Sequence, residues 1–525
     1  MTNQLSSASR QIARAAGTVM FALALSMLIG LLRRVLIANA FGTNLEIEAF
    51  AAANRVSETL FNLVAGGALA SAFIPTYSTL LTKGDKEGSW KLASAVGNLI
   101  VIILSLLTLL AAIFAPQIVR YILAPGFSSN PFKEDLTIKL LILMLPSAVI
   151  FGLSGLVMAV LNSHQRFFIP ALAPSMYSLG MIFGLLFLVP SFGIFGLAWG
   201  VLIGALLHLL VQLPSLVKLG GQYFATLGLK FAPVLEVARL IGPRLIGVAV
   251  VQINFWVNVW LASYMIEGSV NGLLFAFTLL LMPQSIIAQS IAIAAMPTFS
   301  EQYAKNQVGD LRNSLADSLR GILLLTIPAT IGLIILRKEL VILVYQRGEF
   351  TDFSTELVSW ALLFYAFGLV SHSLVEILSR AFYAMHDTKT PVFIGILAMS
   401  LNVLFSVTFT MLFDRFGLLT LGGLALANTL ATTLETIGLI LIMRRRLGGM
   451  NGSLIIRASV QSCIGTLFMG VIIWGWLRLG STYPNWFVTI SSIIVGGAIY
   501  LFVLYLIRVP EIRALSYRVS QYLKR

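Results

Sequence analysis

The sequence is short of cysteine, of charge and of histidine, and each shortage closes off a class of function. One cysteine in 525 residues, Cys463, allows no intramolecular disulfide and no cysteine-based metal site. Charged residues make up only 11% of the chain, against 58% hydrophobic ones. A soluble domain cannot hide that much apolar surface, so lipid is the solvent for most of this chain. The four histidines are scattered, and no loop carries a nucleophile elbow or a phosphate-binding glycine loop. The acidic pair Glu134-Asp135 stands alone in a loop and reads as a solvated feature, not as the acid pair of a membrane glycosyltransferase. The chain therefore reads as no enzyme, and with no ATPase domain any pumping draws on an ion gradient, the membrane potential or the gradient of the cargo.

What is present is a set of long apolar runs. Runs of about 20 residues suit a membrane-spanning helix. They fall near 15–40, 50–80, 92–116, 137–161, 170–190, 194–217, 240–265, 271–298, 313–336, 357–384, 391–412, 418–443, 455–478 and 486–507. The expected fold is an all-α integral membrane protein of about fourteen transmembrane helices. With the N-terminus in the cytoplasm, the inside segments hold 24 of the 35 basic residues and the outside loops hold eight, including Arg120, Lys133 and Lys139. Arg33, Arg34 and Arg55 fall within spans. This bias predicts both termini inside a bacterial cytoplasmic membrane and accounts for most of the +14 net charge. Nucleic-acid binding, the other reading of such a charge, lacks a soluble basic domain.

A second pattern is a repeat. Ala72-Phe73-Ile74-Pro75-Thr76-Tyr77-Ser78 returns 222 positions later as Ala294-Ala295-Met296-Pro297-Thr298-Phe299-Ser300, and at the same offset Gly126 meets Gly348 and His164 meets His386. Paired repeats in an apolar chain are a signature of transporters that work by alternating access. The organisation that follows is a six-helix half over 10–219, an inter-half linker over 220–239, a second six-helix half over 240–446, and two additional helices with a basic tail over 447–525.

Ionisable groups at bilayer depth cost at least about 2.5–3.5 kcal/mol and so point to function. Arg33 and Arg34, next to Ser26 and Gly30 on the first helix, would suit an anion, and phosphate matches their forked donors. The other reading of the pair is snorkelling to the outer interface. Arg55, Glu58 and Asn62 form a stripe on the second helix, readable either as a self-neutralising pair or as substrate contact. Further polar stripes carry Asn254 and Asn258, then His372, Glu376 and Arg380, and lastly Asn428, Thr432 and Glu435. They suit a wet cavity or interhelical hydrogen bonds. His208 and Gln212 read as packing partners. Glu435 with Asn402 and Asn254 offers oxygen ligands for a sodium ion, a weak pattern with one carboxylate. No other cofactor is expected.

Several motifs together carry a resemblance. Leu123-Ala124-Pro125-Gly126-Phe127, Leu161-Asn162-Ser163-His164-Gln165-Arg166-Phe167, Arg347-Gly348-Glu349-Phe350-Thr351 and Asp387-Thr388-Lys389-Thr390-Pro391 make the chain resemble the MurJ (MviN) family of lipid II flippases, within the multidrug, oligosaccharidyl-lipid and polysaccharide exporter superfamily. The resemblance implies transport of an undecaprenyl-diphosphate-linked peptidoglycan precursor from the inner to the outer leaflet, with cavity arginines on the diphosphate and the last two helices receiving the lipid tail. It also implies a role in cell wall biogenesis and cell shape, and a monomer as the working form. Arg33 matches a family arginine and Glu48 the acid after the first helix, whereas Met27, Phe61 and Thr278 stand where other family arginines are usual. The diphosphate site expected here is therefore Arg33, Arg34 and Arg55, with Ser26, Glu58, Asn62, Asn254, Asn258 and Glu435 as cavity polar groups. Another polyprenyl-diphosphate-linked oligosaccharide, or a non-transporting scaffold, are the alternatives.

Overall fold

The computed structural model describes residues 22, 24–64 and 68–513, and among them there is helix and no strand. Two compact units divide at Val270 and Asn271.

The first unit contains α1 (Ala24–Phe41), α2 (Leu45–Val64), α3 (Ala68–Thr82), α4 (Lys86–Ile113), α5 (Pro131–Met144), α6 (Pro146–Ser163), α7 (Phe168–Phe183), α8 (Ile194–Leu210) and α9 (Ala232–Ala262). Local chemistry sets the boundaries. Asp85 accepts from the Gly88 amide to open α4, and Asn130 accepts from the Lys133 amide to open α5 with Pro131 in its first turn. Gly193 supplies the positive φ of 56° between α7 and α8. The core joins α3, α4, α6 and α9 through Phe73, Tyr77, Leu92, Val96, Leu156 and Val234.

The second unit runs through α10 (Ser269–Gln284, which starts at the boundary), α11 (Ser290–Ala304), α12 (Val308–Ile335), α13 (Arg337–Val344), α14 (Asp352–Phe367), α15 (Leu369–Ala384), α16 (Lys389–Arg415), α17 (Leu421–Arg446), α18 (Gly452–Leu479) and α19 (Asn485–Leu506). Phe299, Leu315, Ile322, Phe382 and Leu439 build its main core. The last two helices dock on α12, where the Tyr500 hydroxyl meets the Leu324 carbonyl at 2.5 Å and Ser462 Oγ at 2.8 Å.

The repeat is visible in helix lengths. α3 and α11 are 15 residues each, α4 and α12 are 28 each, and both pairs are displaced by 222 at either end. A mid-span break recurs too, at Pro146 in the first unit and at its 222-offset partner Gly368 in the second, where α14 and α15 bend by 49°. The match of His164 to His386 needs correction by one residue. Helices α6 and α15 end at Ser163 and Ala384, and the left-handed residue of φ 59° is Gln165 in one and His386 in the other. One residue fewer between Gly348 and His386 than in the first half shifts the register to 221.

Fourteen spans are not confirmed. Among the described residues eleven helices are long and apolar enough to cross a membrane, or up to twelve if α14 and α15 are one span. The span expected at 50–80 is the helices α2 and α3, the first interrupted chemically by Glu46, Glu48, Arg55 and Glu58. The one expected at 240–265 is the C-terminal part of α9, which begins already at Ala232, within the stretch expected as linker. Between α8 and α9 the chain is strapped to α4, because Asn98 donates to the carbonyls of Phe224 and Thr226 while Ser94 accepts from the Phe224 amide.

Candidate functional site

Gly30 and Arg33 lie one turn apart on α1, and both turn toward α7. A Cβ at Gly30 would sit 4.0 Å from Ser178 Oγ. The Arg33 guanidinium lies 5.3 Å over the Tyr177 ring, with Nη1 3.3 Å from the Met181 sulfur. A thioether is a weak acceptor, and the buried Arg33 Nε has no partner among the described residues. Arg33 is thus oriented by an aromatic face and left with donor capacity, which is how a guanidinium waits for an anion.

Tyr177 gathers the rest. Arg33 and Arg34 of α1 and Glu58 of α2 all act electrostatically on it, with Asn54 beside it. Arg34 is half-buried. Asn54 donates to Glu58 Oε1 at 2.9 Å, and Arg55 Nη1 meets Glu58 Oε2 at 3.0 Å. Of the two readings of Arg55, the ion pair is therefore present: its charge is matched by Glu58, and its guanidinium lies 4.9 Å over the Phe255 ring of α9. Among the described residues Arg55 Nε has no partner, so this arginine too keeps one unused donor.

The remaining expected residues are spread out. Ser26 and Asn62 are half-buried. Asn254 is buried with Nδ2 unpartnered, and Asn258 has an unpartnered Oδ1. Both belong to α9, which also supplies Gln252, Trp256 and Trp260 to an apolar cleft of about 560 Å³. There the Trp256 indole donates to Thr59 Oγ1 at 2.7 Å. His208 and Gln212 are packing groups, tied to Ser154 of α6 at 2.6 Å and 2.7 Å.

In the second unit, Glu376 and Arg380 form an ion pair at 2.7 Å, and His372 Nε2 meets Asn428 Oδ1 at 3.0 Å. Glu435 is half-buried, and Gly395 of α16 leaves room beside its carboxylate. Asn402 Oδ1 already accepts from Ser406. Among the described residues no group of three or more His, Cys, Asp or Glu gathers for a metal. Of the positions that depart from the family arginines, Met27 is exposed, and Thr278 donates back to the Leu274 carbonyl. Its neighbour Phe277 packs on Tyr365 and His372.

Two further polar residues escaped the sequence reading. Asn54 was within reach, since it lies one turn from Glu58 on the same stripe. Tyr177 had no signal, being one of three aromatics in an apolar helix. A third surprise is Lys133, expected in an outside loop but buried in α5, where Nζ meets Glu48 Oε2 at 2.5 Å and lies 3.9 Å over the Phe127 ring. Glu48 Oε1 accepts from the Val270 amide, and Gly126 approaches the Ser263 backbone so closely that a Cβ would clash at 2.2 Å. These contacts bind α2, α5 and the end of α9 together.

Comparison with known proteins follows this geometry. Residues 37–496 match the family model described as lipid II flippase MurJ. A probable lipid II flippase MurJ of Buchnera aphidicola (subspecies Schizaphis graminum) is 30% identical over 503 residues, covering 94% of this chain and 96% of the relative. The lipid II flippase MurJ of Burkholderia cenocepacia is 29% identical over 413 residues, covering 77% and 80%. A solved lipid II flippase MurJ in an inward closed conformation superposes with a TM-score of 0.79 at 27% identity, over 93% of this chain and 98% of that one. A multidrug transporter of the MATE family shares the fold, with a TM-score of 0.66 at 17% identity over 81% and 94%. With its helical repeat and its arginine-bearing first helix, the chain belongs to the MurJ family of lipid II flippases.

Proposed function

We propose that this chain moves lipid II from the inner to the outer leaflet of the cytoplasmic membrane by alternating access, acting as a monomer with both termini in the cytoplasm. It is a multi-pass membrane protein of a transporter family, and it carries its cargo without chemical change. The observation that carries the site assignment is Arg33, buried in part against Tyr177 and Met181 with a donor to spare. Arg33 and Arg34 take the diphosphate, since paired guanidiniums match phosphate oxygens two at a time. Arg55 joins only when Glu58 yields, because its charge is matched in the resting pair. An inside-negative potential favours outward movement of the anionic head by about 2.3 kcal/mol per net charge across 100 mV.

The test is depletion of a host's own lipid II flippase and rescue by this chain. The wild type restores growth. An Arg33→Ala, Arg34→Ala variant at normal membrane levels does not, since losing charge-assisted hydrogen bonds worth about 1.5–3 kcal/mol each weakens head-group capture roughly 10–100-fold or more. Equal rescue by the variant refutes the arginine site. Failure of a well-expressed wild type favours another polyprenyl-diphosphate-linked saccharide, a reading that Met27 and Thr278 in place of family arginines support.

A further inference from the structure

The second unit holds an ionisable group that the arginine site does not use. Glu435 stands in the middle of α17, fourteen residues after Leu421 and eleven before Arg446, or roughly 21 Å and 16 Å along the axis at 1.5 Å per residue. It shares a stripe with Asn428 and Thr432 and faces α16 at Gly395, where only hydrogen stands in front of Oε1. Among the described residues its carboxylate makes no ion pair and no hydrogen bond.

The surrounding charges leave it alone. From α15, Glu376 and Arg380 neutralise each other, His372 is held by Asn428, and Tyr383 lies within electrostatic reach of all three acidic and basic groups, Glu435 included. From α14 the acids Asp352 and Glu356 sit in the first turns, far along the helix. The charges of α16 are at its ends, Lys389 on one side and Asp414 with Arg415 on the other, and those of α17 itself are the terminal Arg444, Arg445 and Arg446. Among the described residues no fixed counter-charge meets Glu435 at mid-helix.

An unpaired carboxylate at this depth asks for a cation. Sodium needs a shell of several oxygens, and among the described residues no second carboxylate joins Glu435 and no group of three or more His, Cys, Asp or Glu gathers for a metal. The Thr432 and Thr436 hydroxyls donate to backbone carbonyls, those of Asn428, Thr432 and Ser371, and not to the Glu435 carboxylate. One carboxylate without a cage suits a proton.

We propose that Glu435 is a proton-binding site coupled to transport, loading from one side of the membrane and releasing to the other as α16 and α17 change their access to water. The proposal rests on the flippase reading above. Because bacterial proton gradients run inward, coupling that drives export must exchange an inbound proton for an outbound lipid. Protonation removes the mid-membrane charge during the transition, and deprotonation on the cytoplasmic side restores it. No bond other than the O–H of the carboxyl forms or breaks.

The experiment uses the purified full chain in vesicles with lipid II, with the potential clamped, and sets a pH step acid on the extracytoplasmic side. One proton exchanged per lipid shifts the leaflet ratio about tenfold per pH unit in the wild type. Glu435→Gln abolishes that shift, and Glu435→Asp keeps it in part. A wild type that moves lipid II but ignores the pH step overturns the proposal and leaves the function standing, as does a Glu435→Gln protein that responds like the wild type. A sodium gradient at equal pH is the second arm, and a response there that Glu435→Gln removes replaces the proton by sodium. Should the wild type move no lipid II, the function falls instead. Infrared difference spectra of the protein alone then decide the site. A protonated-carboxyl band that titrates in the wild type and is missing in Glu435→Gln supports it, and no such band refutes it. Equal melting temperatures of the two proteins establish that the variant is folded.

Discussion

The fifth and sixth helices of the two halves, α7 with α8 and α16 with α17, occupy the same place in the repeat, and close backbone contact runs along the first pair but only at one end of the second. The first pair is zipped by glycine. A Cβ on Gly180 would come within 2.2 Å of the Gly204 Cα, and one on Gly184 within 2.6 Å of the Gly200 Cα, so the two backbones touch. Small residues allow such an approach in lipid, where packing rather than hydrophobicity holds helices together. In the second pair the backbones touch at one end, where a Cβ on Gly423 would come within 2.8 Å of the Phe409 carbonyl, and farther along side chains stand between the helices: Gly395 faces the Glu435 carboxylate and Gly438 faces Ile394. The treatment of charge differs likewise. Each unit pairs charges and leaves one ionisable group over: the first pairs Lys133 with Glu48 and Arg55 with Glu58 and leaves the cation Arg33 on an aromatic face, whereas the second pairs Glu376 with Arg380 and leaves the acid Glu435. The repeat keeps the lengths of α3 and α4 in α11 and α12 and the break at Pro146 and Gly368, then, but not what fills the space between the fifth and sixth helices. A seam closed along its length and one closed at one end with a carboxylate farther along can sit on the same scaffold.

Breaking the charge matching of the first unit has the largest expected effect. Lys133→Met leaves Glu48 buried without its cation, at a cost of about 3–5 kcal/mol, most of which is the penalty on the stranded carboxylate. Thermal unfolding in detergent reads this as a large drop in melting temperature. Replacing both partners with methionine recovers much of the loss, since an apolar pair of similar volume is often neutral. A single variant as stable as wild type, or a double variant worse than the single, shows that the pair does not hold this corner.

Forcing the zipped seam apart comes next. Gly180→Ala puts a methyl into backbone that has no rotamer to yield, and overpacking of this kind costs roughly 1–3 kcal/mol. Gly332→Ala on α12, where nothing lies within 4 Å, is the control and stays near wild type. Equal melting temperatures for the two variants contradict the backbone contact between α7 and α8.

Much of this scaffold was legible in the sequence, for reasons that lie in short-range physics. Apolar runs show themselves because lipid admits little else, and a repeat survives as fixed-offset motifs such as those around Pro75 and Pro297. The stripe of Arg55, Glu58 and Asn62 was visible because residues three and four apart share a helix face. What stayed hidden depends on distant partners. Lys133 and Glu48 are 85 positions apart, and nothing local marks a lysine in an acidic helix start as buried. Tyr177 became part of the site only through α1 packing across it. The one-residue slip at His386 was invisible because two histidines imitate a match whether or not their backbones agree.

The smallest expected effect separates the starts of the two seams. Asp387 precedes α16 and accepts from the Lys389 and Thr390 amides, from the Thr390 hydroxyl at 2.6 Å and from Arg446 at 2.5 Å. At the 221 offset α7 has Arg166 instead, which reaches the Ser215 carbonyl, and its first turn has no side-chain cap. Burial works to raise the Asp387 carboxyl, but the Thr390 hydrogen bonds, the Arg446 charge and the Lys389 amide outweigh it and hold the group below its usual 3.8. A carboxyl depressed in the folded state contributes stability above its unfolded value and loses it as the pH falls through the lower, folded one. Asp387→Asn keeps a side-chain oxygen for the amides but loses the negative charge, and should therefore lower the melting temperature at neutral pH by an amount worth about 0.3–1 kcal/mol, the range of a charge at a helix N-terminus or of an exposed ion pair. The gap between variant and wild type should close only in the acid range below 3.8, where the wild-type carboxyl is protonated as well. Arg166→Ala should leave that acid dependence untouched, because the charge-stabilised start belongs to the second seam alone. A gap for Asp387→Asn that does not vary with pH would assign Asp387 a role in shape rather than in charge.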